Sequence, residues 1–122
     1  MIDKNLTYAI IGASNNQDKY GYKVLMDLHQ AGYKVVPINP KGGEIAGLKV
    51  YPDLKSYDKK IDTAIFILPP DIAERILPEI KAVGIKTVWF QPGSESREGI
   101  KYCQNNGLEY IANACIMIEK NK

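Results

Sequence analysis

Five short apolar runs, each set off from the next by a segment that stops at glycine or proline, constrain this chain more than any other feature. The runs are Thr7 to Ile11, Lys34 to Ile38, Thr63 to Leu68, Thr87 to Phe90 and Glu109 to Ala112. They are too short for helices, and most are rich in β-branched or aromatic residues. Between them the apolar spacing changes to threes and fours. Tyr20 to Ala31 sets Val24, Leu25, Leu28 and Ala31 on one helical face, with Gly32 as its stop. Asp71 to Val83 turns Ile72, Ile76, Leu77, Ile80 and Val83 inward before Gly84. Pro78 lies inside that helix and is expected to kink or interrupt it. Ser96 to Asn106 reads as a third helix, capped by Ser94 or Ser96 and closed by Gly107. Pro40 to Pro52 reads as a loop with a short strand near Lys49-Val50-Tyr51, and Leu54 to Asp58 as a helical turn. The tail Cys115-Ile116-Met117-Ile118 is too short to assign. Strands that alternate with helices pair in parallel, because each crossover must return over the sheet. The expected fold is α/β: a doubly wound, parallel five-stranded sheet with helices on both faces, in one domain spanning residues 1–122.

Composition narrows the class. The 122 residues are 45% hydrophobic and 25% charged, which supports a packed core and argues against disorder. The formal charge of +2 is spread over scattered lysines rather than a basic face, so a nucleic acid is not the expected partner. No apolar run reaches membrane-spanning length, and the N-terminus lacks the basic-then-apolar pattern of a signal peptide. Cys103 and Cys115 have no metal-ligand spacing, and one histidine adds little to them, so no metal site is expected. These features together describe a reduced, cytoplasmic protein.

In a doubly wound sheet, ligands bind outside the carboxyl ends of the strands. Four turns converge on that edge: Gly12-Ala13-Ser14, Asn39-Pro40-Lys41, Leu68-Pro69-Pro70 and Gln91-Pro92-Gly93. The first joins a buried strand to a helix, whose exposed N–H groups and dipole favour an anion. It departs from the G-x-G-x-x-G fingerprint, with Ser14 at the second glycine position and Gly21 arriving late. From this turn alone, a phosphate site and a turn that merely needs small residues are equally good readings. The second turn shifts the balance. A dinucleotide fold usually carries an acid after its second strand, to accept from the ribose 2′-hydroxyl. Here no acid occurs until Glu44, and Lys41 stands in its place. A lysine there would pair with a phosphate on the ribose, at the 2′ or the 3′ position, which argues against NAD.

These stretches carry a family resemblance. Ile11-Gly12-Ala13-Ser14, Gly32 to Lys41, Gly47 to Leu54, Lys86 to Gly93 and Asn113 to Glu119 are similar to the single-domain CoA-binding protein family. That family is related to the N-terminal CoA-binding domain of the succinyl-CoA synthetase α subunit and of NDP-forming acyl-CoA synthetases. The resemblance implies a Rossmann-like fold that binds coenzyme A. It implies phosphates near Gly12, Ala13 and Ser14, with the loop from Asn15 to Lys19 folded over them. Asn39 and Pro40 would lead to Lys41, which would face the 3′-phosphate. Leu68, Pro69, Pro70 and Ile72 would line the adenine and the start of the pantetheine arm. Gln91 and Gly93 would border the arm's path. The apolar end Phe66-Ile67-Leu68-Pro69-Pro70 is closer to the synthetase pattern than to the charged run of many single-domain members.

Chemistry is sparse. The synthetases use a histidine on a second domain and a separate nucleotide-binding module, and this chain matches neither. His29 reads as a surface or flank residue, Cys103 and Trp89 as core. Asp18, Asp71 and Glu95 read as helix caps, since nothing pairs them as acid and base. No catalytic residue is assigned. Cys115 is the one candidate reactive thiol, against a default of core packing. Tyr20 and Tyr22 either cover a ligand or pack on the first helix. The leading reading is a CoA or acyl-CoA binding module rather than an enzyme, as a homodimer or with a ligase partner subunit. The alternatives are a small NADP-binding oxidoreductase or nucleotide sensor, and an interaction subunit that completes an acyl-CoA ligase in trans.

Overall fold

The computed structural model describes residues 2–122. In chain order its elements are β1 (Thr7–Ile11), α1 (Tyr20–Gln30), β2 (Lys34–Ile38), β3 (Glu44–Ile45), β4 (Leu48–Lys49), β5 (Thr63–Phe66), α2 (Pro70–Ala82), β6 (Thr87–Phe90), α3 (Arg97–Asn105), β7 (Glu109–Ile111) and α4 (Ile116–Glu119). Five strands form one sheet in the order β2-β1-β5-β6-β7, and every neighbouring pair is parallel. The small β3–β4 hairpin stands apart.

The sheet's two faces explain why its inner strands are apolar at every position after the threonine that opens each of them. Tyr8 and Ile10 of β1 pack on one side with Ile65 and Trp89, under α1 and α4. Ala9 and Ile11 pack on the other with Ala64, Phe66, Val88 and Phe90, under α2 and α3. The first face is closed by Val24, Leu25, Leu28 and Ile116, the second by Ala73, Leu77, Ile80 and Cys103. The chain leaves β1 for β2 on one side and later returns to β5 on the other. The switch point therefore lies between the carboxyl ends of β1 and β5, with α1 and α2 on opposite faces of it.

Several expectations need correction. Ile72 and Val83 do not turn inward; they are 37% and 38% exposed. The buried stripe of α2 is Ala73, Leu77 and Ile80, with Ile76 beside it. At 100° per residue, Ile72 and Val83 lie roughly 90–110° off that line. Proline 78 does not interrupt α2, which runs from Pro70 through Ala82. Pro70 opens the helix one residue earlier than expected, at a position where a missing N–H costs nothing. β5 ends at Phe66 rather than Leu68, because the Leu68 N–H leaves the ladder for the Ser94 hydroxyl at 3.0 Å. The short strand expected near Lys49 is present as β4, one arm of the β3–β4 hairpin, and Tyr51 bridges in parallel to Ile38. Ser96, not Ser94, caps α3: its Oγ accepts from Gly99 N at 2.9 Å. The tail forms the single-turn helix α4. No helix among the described residues is long and apolar enough to cross a membrane.

Candidate functional site

The first turn is built by two glycines. Gly12 has φ +106°, a conformation L side chains rarely adopt. A Cβ there would run into the Ile67 carbonyl oxygen, and a Cβ on buried Gly21 would run into the carbonyl oxygen of Gly12 itself. Gly21 is a residue whose role the fingerprint comparison missed. It arrives late by spacing, yet it lets α1 lie directly on the turn. The signal was present as a glycine in the first turn of an otherwise amphipathic helix.

The start of α1 has no side-chain cap; Lys19 holds the N-cap position in extended backbone. The turn's polar side chains are engaged elsewhere. Ser14 Oγ accepts from Asn16 N at 3.0 Å, and Asn15 Nδ2 donates to Glu44 O at 3.0 Å. These bonds draw the loop from Asn15 to Lys19 toward the β3–β4 hairpin. Tyr22 and Lys23 N–H donate to the Lys19 carbonyl, which leaves the N–H groups of Tyr20 and Gly21 and the helix dipole as the anion-seeking feature of the edge.

Asn39 joins the first two turns. Its Nδ2 donates to Ala13 O at 2.8 Å and its Oδ1 accepts from Lys41 N at 2.9 Å. Its own N–H donates to Tyr51 O at 3.0 Å. Lys41 is thereby placed at the rim, exposed and without a carboxylate partner among the described residues.

Two cavities flank the switch point and share Leu68 as a wall. The smaller, about 360 Å³, gathers Gly12, Asn39, Pro40, Leu68 and Ile72 from the expected set. It adds Pro52, Asp53, Leu54 and Glu79, which the sequence reading did not assign. Glu79 Oε1 accepts from Leu54 N at 3.1 Å, and Asp53 accepts from Ser56. Hydrogen bonds from the Ser56 hydroxyl and N–H hold the Asp53 carboxyl below its usual range. The larger cavity, about 670 Å³, gathers Tyr20, Leu68, Pro69, Gln91, Gly93 and Cys115, and adds Ser94, Met117 and Ile118. Ala13, Ser14, Asn15, Lys19, Lys41 and Pro70 line neither. Ala13 is buried in the core beneath the turn, and Pro70 is taken up by the start of α2. Met117 and Ile118 were missed because a four-residue tail shows no periodicity. Ile118, 60% exposed beside an equally open Tyr20, forms the apolar lip.

Buried polar groups fix the back of the larger cavity. Gln91 Oε1 accepts from Ile116 N at 2.8 Å and its Nε2 approaches Cys115 Sγ at 3.4 Å. Trp89 Nε1 donates to Ala114 O at 2.9 Å, so an otherwise core indole also anchors the tail. Ser94 Oγ satisfies the Leu68 N–H. Ser94→Ala is expected to leave that N–H without a partner, costing about 1–3 kcal/mol. A thermal melt should show a midpoint lower by several degrees.

The sequence model for the CoA binding domain matches residues 6–121. The chain belongs to the CoA-binding domain family. This CoA-binding domain is 37% identical over 104 residues to an ADP-forming acetate–CoA ligase of Methanocaldococcus jannaschii, covering 85% of this chain and 15% of the ligase. It is 31% identical over 121 residues to the α subunit of an ADP-forming acetate–CoA ligase II of Pyrococcus furiosus, covering 90% of this chain and 26% of that subunit. The chain thus spans about a quarter or less of the length of these curated relatives. A solved structure of a conserved hypothetical protein from Pyrococcus furiosus superposes with a TM-score of 0.90 at 39% identity, covering 93% of this chain and 98% of that one. The family match supports association with CoA and lends nothing to the NADP alternative.

Proposed function

We propose that this CoA-binding domain holds CoA or acyl-CoA across the carboxyl edge of its sheet and works as a binding module. The observation that carries the reading is the pair of cavities meeting at Leu68, on either side of a helix start that no side chain caps. The pyrophosphate would lie at the turn of Gly12, Ala13 and Ser14, where no side chain caps the start of α1 and its dipole is favourable. The adenine would enter the smaller cavity, between Pro40 and Ile72. Lys41, free at the rim, would meet the 3′-phosphate. The pantetheine arm would run past Tyr20 into the larger cavity, toward Gln91. The apolar lining and few polar groups suit an arm that is mostly methylene with two amides. Such a module would present CoA to another protein. One relative is itself a ligase α subunit, which favours a partner subunit over a free-standing enzyme.

The test is a set of thermal melts with CoA, acetyl-CoA, dephospho-CoA and NADP, in reductant. A ligand at about 100 times its Kd adds ~2.7 kcal/mol, enough to move the midpoint by several degrees. CoA and acetyl-CoA are expected to stabilise, dephospho-CoA less, and NADP not at all. Stabilisation by NADP alone would overturn the reading.

A further inference from the structure

The larger cavity ends on a thiol. It begins at Tyr20, the first residue of α1, and reaches Cys115, the residue that opens α4. Most of its lining is apolar. Of its two buried polar side chains, Ser94 is committed to the Leu68 N–H, and the other is Gln91, only 4% exposed. Its orientation is forced. Ile116 N donates, so the amide oxygen must face it, and the amide nitrogen then faces Cys115 Sγ. That nitrogen carries two hydrogens. The sulfur is its single partner among the described residues, at a distance typical of a weak bond. A buried N–H without an acceptor, in the wall of a cavity, calls for an oxygen from a ligand. The pantetheine arm supplies amide oxygens and ends in sulfur.

We propose that Cys115 exchanges with the disulfide of an oxidised CoA held in this cavity, linking CoA to the protein through a mixed disulfide. The proposal rests on the CoA reading given above. The co-reactant is a CoA disulfide, CoA–S–S–R. Cys115 loses its proton to solvent, and its thiolate attacks the CoA sulfur. The CoA–S–S–R bond breaks as the Cys115–CoA bond forms. R–S leaves with the electron pair and takes up a proton. One disulfide is consumed and one is made, so no outside oxidant is required. Cys103 provides the contrast. It is fully buried in the core of the opposite face, and burial pushes its thiol up to about 11. A single site of modification is therefore expected.

The experiment exposes reduced protein, freed of reductant, to CoA disulfide or to glutathione disulfide at equal concentration. Intact mass follows the adduct, and cleavage at Glu109 separates the two cysteines for mapping. The expected product carries one CoA on Cys115, is reversed by dithiothreitol and is absent from Cys115→Ser. It should form roughly tenfold or more faster from CoA disulfide than from glutathione disulfide, the advantage of a bound reactant. S-methyl-CoA, which has no thiol, should slow it. Equal rates from both disulfides, unaffected by S-methyl-CoA, would describe a merely accessible thiol and overturn the proposal. So would the absence of a Cys115 adduct in protein that CoA stabilises in reductant. Protein that CoA does not stabilise in reductant would lose the CoA reading itself, and this proposal with it.

Discussion

Gly21→Ala is expected to lower the melting midpoint by roughly 10 °C or more, a large stability loss for a one-carbon change. The added Cβ meets the backbone carbonyl of Gly12, which cannot swing aside as a side-chain tip could. Overpacking of this kind costs about 1–3 kcal/mol, and more when the neighbour is rigid. Relief requires α1 to lift off the turn, so CoA affinity should fall together with stability. The measurement is a melt followed by CoA titration well below the new midpoint. A variant with wild-type melting and wild-type CoA affinity would show that α1 does not rest on Gly12. Gly12 is a poorer test of the phosphate turn, because its substitution meets the Ile67 carbonyl and an unfavourable φ before any ligand arrives.

Lys41→Ala separates binding from folding. Lys41 is exposed, and no carboxylate among the described residues depends on it. Its loss should leave the melting of the ligand-free protein within about 0.5 kcal/mol of wild type. CoA affinity should drop by about 1.5–3 kcal/mol, the worth of a charge-assisted contact, or roughly 10- to 150-fold in Kd. Dephospho-CoA lacks the 3′-phosphate and should bind wild type and variant alike. Equal losses for both ligands in isothermal titration would remove Lys41 from that role. The CoA effect should also shrink as salt is raised, since the pair lies at a solvated rim.

The strands and long helices were legible because burial on both sheet faces leaves a mark at every position. Ala9-Ile10-Ile11 and Val88-Trp89-Phe90 could be little else. The helix faces were legible only in part. Ile72 and Val83 are apolar but exposed, and sequence periodicity weighs them like Leu77. For the site, the turns were visible as clusters of small and rigid residues, while their connections were not. Nothing in the order of residues says that Asn39 reaches Ala13, or that Ser94 takes the Leu68 N–H. These bonds join positions 26 residues apart, and they exist only once the sheet has brought its strand ends together. The contribution of Met117 and Ile118 was hidden for the same reason, since α4 is placed by Gln91 and Trp89 rather than by its own periodicity.

The amide of Asn39 acts as a polarity key. Aspartate has the same shape, but it would set an oxygen against the Ala13 carbonyl, where a donor now stands. An acid at position 39, two residues before the place that Lys41 holds, would therefore bring repulsion into the turn that carries Ala13. One side-chain amide thus holds two loops in a common register, so a change of charge at this position would unsettle both of them at once rather than one alone.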